Sequence, residues 1–310
     1  MRVAVTGGTG HLGVNLVRAL EARGDEVRNH RVDVADRPAL EQCFDGVEVV
    51  FHLAALISIT GDQGGKVTAT NVTGAENSAR AAYKAGVRRF VHVASVHAFD
   101  MHPLDAPVDE TRARAFGPRH AAYDRSKALG EKAVRAVFSE GLDGVVIHPS
   151  GILGPADPRP SRMGQFFLDL QHRRMPALTE GGFDWVDVRD VVDGILAAAE
   201  RGRAGESYIL SGYWRSVREL AELAAAITGV PAPKLTSPMW AARLGAPFMT
   251  AFNRVTGIEP LYTSEALDAL EANHVLSHAK AARELGYSPR PTPETVRDLY
   301  TWFGANGRLR

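Results

Sequence analysis

The chain has 310 residues, with 36 Lys plus Arg against 36 Asp plus Glu, and a formal net charge of zero. That balance, with no basic run longer than the pairs Arg88–Arg89 and Arg173–Arg174, argues against nucleic acid or an anionic membrane as the main partner. Apolar residues make up 45% and charged residues 23%, an ordinary globular composition, and a single cysteine, Cys43, excludes an intrachain disulfide. The longest apolar run, VEVVFHLAALISI, is interrupted by Glu48 and His52 and is too short to span a bilayer. The opening residues read as a strand rather than a signal peptide, so the expectation is a soluble, cytoplasmic protein.

RVAVTG predicts a short buried strand, and HLGVNLVRALEARG a helix with Leu12, Leu16, Val17 and Leu20 on one face and Gly24 at its stop. EVRNHRVDV reads as a second strand region, and DRPALEQCF as a short helix with Asp36 as N-cap. VEVVFHLAA and RRFVHVAS predict the third and fourth strands, with a helix over TNVTGAENSARAAYKAG between them. A helix over Ala121 to Phe138 and the strand GVVIHPS follow. This alternation implies a doubly wound parallel sheet, an α/β fold with helices on both faces. After Pro149 the rhythm breaks into the Pro-rich loop GPADPRPSRMG and an aromatic-containing helix near Gln165–Arg173. FDWVDV and SYILSG then read as strands around the helix VVDGILAAAERG, and helices over SVRELAELAAAITG and MWAARLGAPFMTAFNRVTG follow. Residues 1–149 are expected to form a dinucleotide-binding domain to which 183–214 returns. Residues 150–310 are expected to form a smaller, mostly helical substrate domain.

Strand, glycine turn and helix together make a phosphate-binding element, because backbone N–H groups at the helix start face the anion and glycine removes the Cβ that would block it. Two templates fit: Gly8-x-Gly10-x-x-Gly13 and Gly7-x-x-Gly10-x-x-Gly13. No Lys-Ser/Thr pair follows Gly13, which argues against a mononucleotide P-loop. In AAYDRSKALGEKAV, Tyr123 and Lys127 are spaced i, i+4 and share one helix face. A phenol with an ordinary pKa of about 10 is a poor proton donor, and a nearby ammonium is expected to lower that value. Alone, the pair reads equally as a surface contact on an amphipathic helix. Together with the glycine turn it reads as acid–base chemistry beside a dinucleotide.

At these residues the chain resembles the extended short-chain dehydrogenase/reductases, the NAD-dependent epimerase/dehydratase superfamily, over nearly its whole length, and most of all its dihydroflavonol-reductase and 3β-hydroxysteroid-dehydrogenase branch. TGGTGHLG looks like that family's cofactor turn, FHLAA like its third-strand motif, YDRSK like its catalytic pair and NVTG like its helix Asn motif. HPSGILGP resembles the segment that meets the nicotinamide, with His148 where Arg is more usual. The resemblance implies a Rossmann fold and catalytic roles for Tyr123, Lys127 and Ser95. It implies cofactor contacts from Gly7, Gly10, His11, Leu12 and Gly13, from Leu53, Ala54 and Ala55, and from Asn71, Pro149 and Ile152. Lys127 would also hold the ribose hydroxyls. Asn71 has helix capping as its alternative.

NAD enzymes of this fold carry an acid at the end of the second strand. Here Arg31 falls in that place, with Arg28 as the other register; Asp33 and Val34 belong to a segment that in the family contacts adenine. NADP(H) is therefore the favoured cofactor, with NAD(H) as the alternative. Relatives acting on nucleotide-diphosphate sugars often carry an Arg and an Asn where Phe183 and Ser150 stand here. The expected activity is reduction of a ketone or aldehyde, or oxidation of the alcohol. The alternatives are a nucleotide-sugar epimerase or dehydratase and a non-catalytic dinucleotide sensor. His97, Ser150, Met163, Phe167 and Trp185 are the candidate substrate contacts. His92, His97 and His102 do not have metal-ligand spacing, so no metal is expected. Near Asp187 and Asp190 a helix N-cap is expected. The Ala-rich helices Asn71–Ala85 and Ala121–Phe138 suggest a homodimer of the family's four-helix kind.

Overall fold

Alternate residues of each early strand face opposite cores. In β1 (Arg2–Thr6), Val3 and Val5 enter one apolar cluster and Ala4 the other. In β3 (Val49–His52) the split is Val49 and Phe51 against Val50, and in β4 (Arg89–Val93) it is Val91 and Val93 against Phe90. Strands buried on both faces belong in a parallel sheet covered by helices. With β2 (Glu26–Arg28), β5 (Gly144–Pro149) and β9 (Ser207–Leu210), they form a six-stranded sheet in the order β2-β1-β3-β4-β5-β9, every neighbouring pair parallel. The structure is a computed structural model and describes residues 1–29, 31–245 and 263–309; the second half of the helix expected over MWAARLGAPFMTAFNRVTG lies outside the described residues.

One face of the sheet is covered by α1 (His11–Ala22) through Leu16, Val17 and Leu20. The other carries α2 (Arg37–Phe44) through Leu40 and Phe44. A short helix α3 (Lys66–Thr68) runs through a π-helical stretch, Ala69–Thr73, into α4 (Gly74–Lys84), so the helix expected over TNVTGAENSARAAYKAG is interrupted. α4 and α5 (Ala122–Ser139) join α2 on that face through Ala75, Ala79, Val134 and Val137. The alanines of α4 are therefore buried within this chain.

The later elements divide. β6 (Gly151–Leu153), β8 (Gly182–Asp187) and β10 (Tyr213–Ser216) form a separate mixed sheet in the order β10-β8-β6. β7 (Ala177–Thr179) pairs in parallel with β11 (Leu235–Ser237). Of the stretch 183–214, β9 enters the large sheet and α7 (Val188–Arg201) covers its α1 face, while β8 stays with the small sheet. A further core joins Phe166 and Phe167 of α6 (Arg162–Gln171), Leu220 of α8 (Val217–Thr228), and Val296, Leu299 and Phe303 of the helix Thr292–Ala305. Among the described residues no helix is long and apolar enough to cross a membrane, and no group of three His, Cys, Asp or Glu is arranged to hold a metal.

Caps follow local chemistry. The Asp36 carboxylate accepts from the Ala39 N–H at 3.1 Å, and Ser216 and Glu219 form a reciprocal capping box. The cap of α7 is Asp187, which accepts from the Arg189 N–H at 2.8 Å; Asp190 instead binds Arg290. The second strand is only three residues long. Arg28 turns to the carbonyl oxygens of Asp45 (2.6 Å) and Cys43 (3.4 Å), and the Asp33 carboxylate accepts from the Ala35 N–H at 2.9 Å. Arg28 is still paired with Ala4 of β1, and past it Asp33 closes a turn of its own rather than a ladder.

Three buried histidines lie near the C-terminal ends of β3, β4 and β5. His52 Nδ1 is 2.8 Å from Thr6 Oγ1, and His92 stacks on His52 at 5.4 Å. Burial is the main cause that depresses all three, His52 to about 3, His148 to about 4 and His92 well below its ordinary value, so each is neutral in the fold. A folded pKa below the unfolded value of about 6.5 gives stability that is complete above that pH and declines as pH falls towards 4 and then 3. His52 and His148 each withdraw up to about 2 kcal/mol by pH 5, and His92 acts in the same direction. His97, shifted upwards, opposes this with one group. The urea midpoint is expected to fall between pH 7 and pH 5, and His92→Phe to make that fall shallower. Equal midpoints at the two pH values would contradict the neutral-histidine account.

Candidate active site

The turn after β1 brings three backbone segments together. A Cβ on Gly13 would lie 2.3 Å from the Gly7 carbonyl oxygen, and one on Gly7, whose φ is +74°, would lie 2.6 Å from the Ala54 nitrogen. Neither position tolerates a side chain. Gly10 is the N-cap of α1 and makes no side-chain cap, and the first turn of α1 holds no acid. The helix start, with its backbone N–H groups, faces a cleft of about 680 Å³. Gly7, Gly10, His11, Leu12 and Gly13 line one side of it, and Leu53, Ala54 and Ala55, just past β3, line another. The glycine cradle and uncapped helix start fit the diphosphate of a dinucleotide.

Opposite stand the chemical groups. Ser95 follows β4, and Tyr123 and Lys127 rise from the first turns of α5; all three line the cleft. Tyr123 does not show the lowered pKa expected from its lysine. Burial pushes the phenol up to about 12, the Ser95 hydroxyl pulls it down, and the Asp124 carboxylate pushes it up again. Lys127 donates to the Val93 carbonyl at 3.0 Å, so its ammonium is engaged with the strand rather than the phenol. Burial brings Lys127 down to about 8, with Glu131 opposing.

Ser95 is held from behind. His148, neutral at its depressed pKa, lies with Nδ1 3.0 Å from the Ser95 carbonyl and Nε2 3.1 Å from Ser207 Oγ. With Nδ1–H donating to the carbonyl, Nε2 accepts from the Ser207 hydroxyl, which in turn accepts from Arg135 at 2.6 Å. Buried Glu131, its carboxyl brought down to about 2 despite burial by His148, Arg114 and Arg135, meets Arg114 at 2.9 Å through both oxygens and Arg135 at 2.8 Å. This network was not foreseen from sequence beyond the unusual His148.

Pro149, Ser150 and Ile152 line the cleft, with Met163, His97 and Trp185. Phe167 does not: it is fully buried and packs edge-on against Tyr300 at 5.8 Å, so it is a core residue and not a substrate contact. Asn71 neither caps a helix nor reaches the cleft. Its Oδ1 accepts from the Leu56 N–H at 2.7 Å, and its Nδ2 donates to the Leu56 carbonyl and to Ser126 Oγ, clamping the chain after β3 to α5. Val34 is buried against Gly74, and Arg31 and Asp33 are exposed; none of the three lines the cleft. Arg28 is tied to α2, and the residue whose side chain lies against Gly8 is Asn29. Sequence reasoning passed over Arg159, Ser161 and Arg162, which line the cleft from the Pro-rich loop and the start of α6. The signal was there in PRPSRMG, placed directly after HPSGILGP. The loop is tied to α1 by His11 Nε2, 3.0 Å from the Pro155 carbonyl, and by Asn15, which donates to the carbonyls of Pro155 and Ala156.

Comparison with known proteins agrees with this geometry. The sequence profile of the NAD dependent epimerase/dehydratase family matches residues 3–211. The chain is 34% identical to sterol demethylase protein B of Methylococcus capsulatus, with all of both chains covered. It is 31% identical to a putative dihydroflavonol 4-reductase of Synechocystis, covering 99% of this chain and 95% of that one. Among solved structures, gox2253 superposes with a TM-score of 0.85 at 32% identity, covering 99% of each chain. The glycine turn, the Rossmann sheet and these relatives together establish that the chain belongs to the NAD dependent epimerase/dehydratase family, the extended branch of the short-chain dehydrogenase/reductases, and is an enzyme of that type.

Proposed function

We propose that the protein is an NAD(P)-dependent reductase of ketones or aldehydes, running in reverse as an alcohol dehydrogenase. The observation that carries this reading is one cleft with the glycine turn on one side, Tyr123, Lys127 and Ser95 on the other, and Met163, Phe183 and Trp185 in its wall. Bound dinucleotide supplies or accepts the hydride. Tyr123, which keeps its proton well above neutrality, donates it to the oxygen of the carbonyl as negative charge develops there. Ser95 hydrogen-bonds the same oxygen. Lys127, buried one helical turn from Tyr123, holds the ribose hydroxyls and balances the phenolate left after transfer.

One observation favours a second reading. Arg159 and Arg162 both line the cleft, and guanidinium groups suit the diphosphate of a nucleotide sugar. An epimerase or dehydratase would then show no net oxidation of added NAD(P)H. Phe183 and Ser150, at the places where sugar-nucleotide relatives often carry Arg and Asn, weigh against it.

The cofactor is proposed to be NADP(H), with NAD(H) as the alternative. At the end of β2 stand Arg28 and then Asn29, with no carboxylate to receive a ribose 2′-hydroxyl. Arg31, three residues past the strand, is exposed and has no hydrogen-bond or ion-pair partner among the described residues, so its guanidinium is available to a 2′-phosphate. A cytoplasmic homodimer completes the proposal. With the α4 alanines buried inside, its interface would use the outer faces of α4 and α5, where Tyr83 and Leu129 are exposed.

Four measurements check these points. NAD(P)H absorbance followed with carbonyl compounds and nucleotide sugars is expected to fall with carbonyls. Tyr123→Phe is expected to lose about 10²- to 10⁴-fold in turnover while cofactor affinity stays close to wild type; near wild-type turnover would remove Tyr123 from the chemistry. Arg31→Ala is expected to raise the KM for NADPH about tenfold, the size of one exposed charge-assisted contact, with little change for NADH. Better wild-type efficiency with NADH would reverse the cofactor assignment. Light scattering is expected to give twice the chain mass; a monomer mass independent of concentration would reject the dimer.

A further inference from the structure

His97 lies two residues beyond Ser95, on the single 3₁₀ turn Val96–Ala98, and its backbone N–H donates to Ser95 Oγ at 3.2 Å. Its ring is fixed on three sides. It stacks on Phe183 with centroids 5.4 Å apart and planes 12° from parallel. It meets Tyr123 edge-on at 5.6 Å. Its Nδ1 lies 3.0 Å from Asp124 Oδ1, on the residue next to the proposed proton donor. The imidazole lines the cleft, and its Nε2 has no protein partner among the described residues.

A carboxylate on Nδ1 fixes the tautomer and orientation of a histidine, leaving Nε2 to work. Burial works to lower the pKa of His97, and the charge and hydrogen bond of Asp124 outweigh it, so the ring holds a second proton to higher pH than a free histidine. In that state Nε2–H is a charged donor. Beside it in the cleft wall stand the rings of Phe183 and, against that ring, Trp185, where a polar group without a partner is costly. A ligand oxygen beside the one that meets Tyr123 and Ser95 would satisfy it.

We propose that His97, held by Asp124, is a second substrate contact beside Tyr123, and that the enzyme selects carbonyl compounds bearing another oxygen acceptor, a carboxylate or a second carbonyl, close to the carbonyl that is reduced. This rests on the reductase reading above and specifies its substrate class. A site that hydrogen-bonds a substrate group discriminates strongly against the analogue lacking it, because its own donor is then left unpaired.

The test compares a 3-oxo acid, its methyl ester and a plain ketone of equal chain length, each with NADPH and with NADH. Wild type is expected to show kcat/KM for the acid, or for acid and ester alike, at least tenfold above that for the plain ketone. A preference confined to the acid identifies an anion as the partner; one shared by the ester identifies a neutral oxygen. His97→Phe keeps an aromatic ring against Phe183 and Tyr123 but removes the donor. It is expected to cut that preference ratio by ten- to a hundredfold, mainly through KM, the size of one hydrogen bond to a charged group. Asp124→Asn is expected to reduce the ratio in the same direction by less. Wild-type reduction of all three compounds with equal efficiency would overturn the inference and leave the reductase reading standing, as would a loss in His97→Phe that is equal for all three. No cofactor oxidation with any of them would overturn the reductase reading, and this inference with it.

Discussion

The architecture hangs on one close approach of backbone to backbone. The Gly7 carbonyl fills the space where a Cβ of Gly13 would stand, and the Ala54 nitrogen fills that of Gly7. The start of α1, the end of β1 and the exit of β3 therefore sit in direct contact, and the exit of β3 is fixed again by Asn71, which clamps Leu56 to Ser126 of α5. From that contact the rest of the site takes its position. The uncapped start of α1 faces the cleft, and the clamp sets the exit of β3 beside the helix that carries Tyr123 and Lys127. A single added methyl group at either glycine would push against backbone that the β1–β3 pairing and the Leu53 N–H to Thr6 carbonyl bond hold in place.

Behind the cleft a buried charge network does the corresponding work for β4 and β5. Glu131 stands one turn after Lys127 on α5 and is held by Arg114 and Arg135. His148 passes the constraint from Ser207 to the Ser95 carbonyl. Removing one partner of such a buried pair costs about 3–5 kcal/mol, because the other charge is left uncompensated. An Arg at the His148 position, which the family resemblance makes more usual, would set a cation beside the same carbonyl. Here a neutral imidazole does so, and the positive charge comes from arginines on two other segments.

Much of this was legible in the sequence where a period or a short-range spacing carried it. Val3 and Val5 against Ala4, the apolar face of α1, the glycine turn and the i, i+4 pair of Tyr123 and Lys127 are all local patterns, and local geometry turns them directly into faces and turns. What stayed hidden depends on partners distant in sequence. Met163 and Phe167 share a helix face by spacing, yet only Met163 meets the cleft, because Tyr300 from the last helix claims Phe167. Asn71 has the type of a cap, but its partners Leu56 and Ser126 come from separate elements. The end of β2 was misjudged because the strand stops at Arg28, whose guanidinium reaches across to the Cys43 and Asp45 carbonyls, and Asp33 bonds within its own turn, which a count of strand residues does not reveal. His97 was a candidate substrate contact from the sequence, but its partner Asp124 was not, and only the fold brings the two to 3.0 Å.

The electrostatics of the cleft then have one direction. Burial raises Tyr123 and lowers Lys127, so before any reaction the phenol holds its proton and the ammonium is only moderately stable. A phenolate in this environment is costly by itself, and so is an ammonium without a counter-charge. A phenolate formed one helical turn from the ammonium would be stabilised by it, since their attraction is stronger where water is scarce. On the proposed reductase reading, proton transfer from Tyr123 would be disfavoured in the resting site and become favourable only when a more basic oxygen develops beside it. The same burial that makes the phenol a poor acid in isolation would then confine its acidity to the moment when a carbonyl oxygen acquires negative charge.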